Sequence, residues 1–188
     1  MVPEPGVAPE VELRESYGAK TSAELAAADA LVPGSSSVAG RGSLFAHVVL
    51  LKGVPGEEDL TAGRALGGPD GEAADKALIA LGIDPDDAWR MCTRPAGVAS
   101  SAPADAEARA RRVELAVEAV DPDLAIALDR EAGEDLARAF GLARLEPGKP
   151  VQRRGRTLGA AGGLAASLGD EGAKARVWAE LRSVAGRE

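Results

Sequence analysis

At 188 residues the chain is long enough for one domain with its own core. Its 22 basic and 30 acidic residues leave a net charge of −8, which excludes bulk attraction to a polyanion. One Cys and one His exclude a disulfide framework, a cysteine-held metal cluster and any chemistry that needs several imidazoles.

In chain order, residues 1–18 are rich in Pro and Glu and read as a loose arm, leaving 19–188 as a single domain. Residues 20–32, "KTSAELAAADALV", predict a short helix capped by Thr21 or Ser22, with Glu24 placed to close a capping box on Thr21. Residues 33–43 read as a flexible loop. Residues 44–51, "LFAHVVLL", have the length and β-branched content of a buried strand, with His47 as a core or sheet-edge residue. A Gly-Pro-Gly loop with three acids follows, and residues 70–83 predict a helix stopped by Gly82. Residues 87–92 are a weaker strand ending in Cys92, which reads as a small buried hydrophobe rather than a nucleophile. After a second loop at 95–104 comes a helix at 105–120, whose "RARR" (109–112) reads as a solvated face. "DPDLAIALD" (121–129) is a parallel-type strand, and 130–141 a helix ended by Gly141. Residues 148–163 offer a strand or two with basic residues. Residues 169–185 form an amphipathic terminal helix with Ala173, Val177 and Leu181 along one side.

Aromatics are only 3% of the chain, so the core is built from Ala, Leu and Val, and few rings can stack on bases. The charge is uneven, because residues 1–75 carry 5 basic and 12 acidic side chains. The longest apolar runs fall far below the roughly 20 residues of a membrane span, and nothing reads as a signal peptide. A reducing cytoplasm is the expected compartment, with no membrane partner. Strands alternating with helices predict a three-layer α/β/α sandwich around a central, mostly parallel sheet of about four strands. In such folds a ligand sits outside the carboxyl ends of the strands, where the loop after residue 51 lies.

The segments "VVLLKGVPGEEDLTAGRALGG", "ALGIDPDDAW", "TRP", "EAVDPDLAIALDREAGEDLARAFG" and "AKARVWAEL" follow one another in an order that resembles the uracil-DNA glycosylase superfamily, closest to its family 4 branch. The resemblance covers about residues 44–185 and implies that fold. It also implies where the active site would lie, and there the chain departs from the family. The loop carboxylate that activates water falls on Gly53, beside Val54, Pro55 and Gly56. The ring that stacks on the extruded base falls on Leu66, and the base-reading Asn falls near Cys92, in a chain with no Asn. The final-motif His falls within residues 158–170, which hold no His, and residues 1–43 lack the cysteines of the iron–sulfur cluster. These are degenerate active-site positions, so the expectation is a member without glycosylase activity, without cofactor and without metal.

Two partners stay open at this point. As a DNA-binding or DNA-repair factor, the chain would contact phosphates through Arg64 and through Lys149, Arg153, Arg154 and Arg156 of "KPVQRRGR"; the bland reading of that segment is a solvated hairpin. As a scaffold, it would bind a protein through its helices or its acidic N-terminal half. An enzyme with a relocated site would use a carboxylate such as Asp59 or Asp70 as base.

Overall fold

The computed structural model describes residues 8–96 and 103–186. Their elements run α1 (Ala8–Ala30), β1 (Arg41–Gly42), β2 (Val48–Lys52), α2 (Glu57–Ala62), α3 (Pro69–Ala80), β3 (Ala88–Cys92), α4 (Pro103–Val120), β4 (Leu124–Ala127), α5 (Arg130–Ala139), β5 (Val151–Arg153), β6 (Arg156–Ala160), α6 (Leu164–Ser167) and α7 (Glu171–Val184). The strands form one six-stranded mixed sheet in the order β1-β3-β2-β4-β6-β5. Its four inner strands are parallel, and β1 and β5 pair antiparallel at the two edges. The sheet is therefore larger than the four strands expected. The extra pair comes from glycine-bounded segments at the edges that are too short to give a periodic signal.

Every residue of β2 is buried, as a strand covered on both faces requires. Val49 and Leu51 pack into a cluster with Ala28 of α1, Val113 and Val117 of α4, and Leu136 of α5. Val48 and Leu50 point the other way, to Leu78 of α3 and Val177 and Leu181 of α7. This period-2 alternation makes a helix layer on each face of the sheet. Close approach of α7 to β6 depends on Gly159, where a Cβ would stand 2.2 Å from Val184 Cγ1.

Several boundaries differ from the sequence expectation. The first helix begins at Ala8, within the segment read as a loose arm, and residues 1–7 lie outside the described residues. Thr21 sits inside that helix and is buried, so it is not a cap. Extending a helix through alanine- and glutamate-rich sequence is less costly than nucleating a new one. The second strand starts at Val48 rather than Leu44, because sheet pairing begins only where the His47 carbonyl accepts from Asp123 and Leu124. His47 itself is exposed and pairs with Asp123 at 2.9 Å. The acids after Gly56 form α2 instead of loop, and Asp59 reaches back to accept the Gly56 N–H at 2.8 Å, one half of a capping box. The strand read at 121–129 shortens to Leu124–Ala127, since Asp129 leaves it to cap α5 by accepting from Ala132 N. Residues 148–163 resolve into a hairpin whose two-residue turn, Arg154-Gly155, takes positive φ at both positions. Most of the second predicted loop, residues 97–102, lies outside the described residues.

Candidate functional site

The carboxyl ends of β2, β3, β4 and β6 open on the same end of the sheet, as parallel pairing dictates. The loop leaving β2 there is closed by a buried ion cluster. Lys52, 9% exposed, donates from Nζ to Asp59 Oδ2 at 2.5 Å and to Asp70 Oδ2 at 2.6 Å. Asp59 is fully buried and also accepts the N–H groups of Gly56 and Gly67. Burial alone would raise its pKa, but the bonds from Lys52, Gly67 and Gly56 outweigh that and hold the carboxyl below its ordinary value. Burial likewise opposes the Lys52 ammonium, and the two carboxylates more than compensate, so its pKa is raised. Asp59 and Asp70, weighed from sequence as relocated bases, are thus committed to a lysine under the loop. The sequence signal for this cluster was a single cation at the end of an apolar run, with aspartates 7 and 18 residues on.

The positions singled out by the family resemblance are mostly packed against other elements. Gly53 lies against α5: a Cβ there would meet Glu131 Cβ at 2.4 Å and Asp129 Oδ1 at 2.8 Å. Its N–H donates to Asp129 Oδ2 at 2.8 Å, so Asp129 ties the loop to the helix it caps. Burial raises the Asp129 pKa, and the two backbone N–H bonds only partly offset this. Pro55 is buried, while Gly56 caps α2 and Val54 stands exposed at the loop tip. Leu66 is 2% exposed and packs in the core beside α3, with its carbonyl held by Arg41 at 2.8 Å. It does not face a base. Cys92 is buried with Val38 and Ala65, and burial pushes its thiol up to about 12. That thiol is a packing group, as expected from sequence.

The basic positions do not share one face. Arg64 and Lys149 lie toward the carboxyl ends, Arg64 through its bridge to Ala39 and Lys149 beside Gly148, which donates to Ala160 O. Arg153, Arg154 and Arg156 surround the turn that starts β6, at the opposite end of the parallel strands. They are also engaged. Arg154 bonds Glu114 at 2.6 Å and Glu118 at 2.8 Å, and its guanidinium holds Glu114 below the usual carboxylate range. Arg156 is buried against Asp121 at 2.8 Å, Arg153 donates to the Phe140 carbonyl, and Lys149 pairs with Glu146. Part of the "RARR" segment is likewise not solvated: Arg109 and Arg112 are buried. Arg112 donates to Asp29 and to the carbonyls of Cys92 and Thr93, and Arg109 reaches Asp135, which also binds Thr93 and Arg94.

A cleft of about 900 Å³ opens beside this loop at the ends of β4 and β6, lined by Asp129, Leu142, Leu145, Ala161 and Gly162 among others. Among the described residues no group of three or more His, Cys, Asp or Glu is placed to hold a metal ion, and no helix is long and apolar enough to cross a membrane. No family model matches the chain, and the search of curated proteins finds no match.

The Asp59 shift sets an acid limit on the fold. A depressed carboxyl contributes stability above its unfolded pKa and loses it as pH falls through the folded value. Urea midpoints are therefore expected to hold from pH 7 to 5 and to drop below about pH 4. Asp129, with its raised pKa, acts in the opposite sense at higher pH: its contribution grows as pH falls from its folded value to its unfolded one, before that of Asp59 is lost. Asp59→Asn should flatten the acid limb; a limb unchanged in that variant would remove Asp59 as its cause.

Proposed function

We propose that the chain is a uracil-DNA glycosylase-like domain without glycosylase chemistry that acts as a non-catalytic interaction factor, with another protein as its partner. The observation that carries this reading is the contact of Gly53 with α5. The position that the resemblance assigns to the water-activating carboxylate has no space for a side chain, and Asp129 and Glu131 occupy its surroundings. The four parallel inner strands with helices on both faces are consistent with the resemblance. A protein partner is favoured over DNA because Arg154, Arg156 and Lys149 are paired with carboxylates on a molecule of net charge −8.

A second reading keeps the chain as a DNA-repair accessory that binds DNA. Its support is the exposed pair Arg153 and Arg154 at one hairpin turn. Binding through these two cations would be weak, independent of sequence and salt-dependent, with a log–log slope on the order of −2.

One set of titrations separates the readings. Uracil-containing oligonucleotides incubated with the protein should release no uracil above a no-enzyme control, and release abolished by a substitution in the chain would overturn the non-catalytic reading. Fluorescence anisotropy with single- and double-stranded DNA at several salt concentrations should show no binding at low salt. Binding that is lost in a folded variant with Arg153 and Arg154 changed to Ala would instead favour the DNA factor.

A further inference from the structure

The cleft beside α5 has the size of a small-molecule site and lies outside the strand ends, where α/β sheets place ligands. Its chemistry is selective. Three backbone donors near it already serve carboxylates: Ala132 N and Gly53 N bond Asp129, and Gly162 N bonds Glu180 Oε2 at 2.7 Å. The arginines on its rim are matched by carboxylates, Arg138 by Glu107, Arg144 by Glu146, and Arg130 by Glu131 and Glu134. Among the described residues, Asp129 is the carboxylate on the cleft wall with no lysine or arginine nitrogen in ion-pair range; it accepts backbone N–H groups alone.

We propose that this cleft binds a small primary amine or amidine with an apolar body, its cationic head paired with the Asp129 carboxylate and its body against Leu142, Leu145 and Ala161. Burial disfavours the charged form of Asp129, and a bound cation relieves that cost directly. Each Asp129 oxygen accepts a single N–H, so each keeps a lone pair for a further donor. Asp129 is only partly exposed, so a pair made there is screened less than one on the open surface. The net charge of −8 enriches cations around the molecule and disfavours anionic competitors. This site does not depend on the uracil-DNA glycosylase reading.

The test is isothermal titration calorimetry of the full chain at neutral pH with three probes of one shape: phenethylamine, phenethyl alcohol and phenylacetate. Phenethylamine should bind saturably, with the alcohol and the acid at least about ten-fold weaker. Asp129→Asn can keep the cap on Ala132 N through its amide oxygen, though it loses the acceptor for Gly53 N–H, and should weaken the amine about ten-fold while leaving the alcohol unchanged. Ala143→Phe, at an exposed position of the cleft rim, should block the amine without touching the core. Circular dichroism checks the fold of both variants. No saturable amine binding, equal binding of amine and alcohol, or full amine affinity in folded Asp129→Asn would overturn the proposal. If Asp129→Asn fails to fold, full amine affinity in Ala143→Phe does so.

Discussion

Replacing Lys52 by methionine should cost the fold about 3–5 kcal/mol, read as a lower urea midpoint. Methionine keeps most of the side-chain volume, so little of the loss comes from packing. The loss comes from Asp59 and Asp70, which Lys52 holds at 2.5 and 2.6 Å and which would stay buried without their cation. Taking a carboxylate out of water is tolerable only while the opposite charge and the hydrogen bonds remain. Two controls give the result its meaning. Lys149→Ala removes a 2.5 Å pair with Glu146, but that lysine side chain is 75% exposed, and its loss should leave the urea midpoint nearly unchanged. The Lys52→Met penalty should also shrink as pH falls, because protonating Asp59 removes the unpaired charge. A midpoint equal to that of the unaltered chain would mean that the cluster does not hold the loop.

Gly53→Glu, which restores the carboxylate that the family resemblance implies, should destabilise the protein and yield no uracil release. The first atom of the new side chain meets Glu131 Cβ at 2.4 Å and Asp129 Oδ1 at 2.8 Å, so α5 or the loop has to move. Overpacking of this kind costs about 1–3 kcal/mol. A third carboxylate beside Asp129 and Glu131 adds like-charge repulsion in a partly desolvated place. The Gly53 N–H bond to Asp129 is strained at the same time. Urea unfolding reads the destabilisation, and a uracil-release assay reads the chemistry. Glycosylase activity in a folded Gly53→Glu variant would show that the loop can accept the carboxylate in a working geometry and would overturn the argument that α5 leaves no room for it.

Much of the fold was legible because burial on both faces writes continuous apolar runs into a strand. Val48 to Leu51 and Leu124 to Ala127 stood out for that reason, as did the helices closed by Gly82 and Gly141. Edge strand β1 was not legible, since two residues carry no period, whereas β5 lies in the segment read as a strand or two. The start of α1 was hidden by its composition: Glu- and Pro-rich sequence looks like a tail unless the helix behind it is long enough to extend forward. At the candidate site the residue types were legible but their surroundings were not: Gly53, Leu66 and Cys92 read as bare or apolar, and the fold presses the first on α5 and buries the other two in the core.

By itself, then, the sequence determined the alternation of strand and helix, an aliphatic core and the absence of multi-imidazole or multi-thiol chemistry, because these follow from residue type and local period alone. Which charges meet was decided only by the tertiary structure. Lys52 finds Asp70 across α2, Arg154 finds Glu114 forty positions away, and Arg94 and Arg109 converge on Asp135 from different elements. Periodicity says that a side chain faces inward, but its partner depends on which helix the chain's crossovers lay over which strand. The same crossovers carry Arg153, Arg154 and Arg156 to the end of the sheet opposite Gly53, and bring Asp129 to the cleft with two backbone amides and no cation.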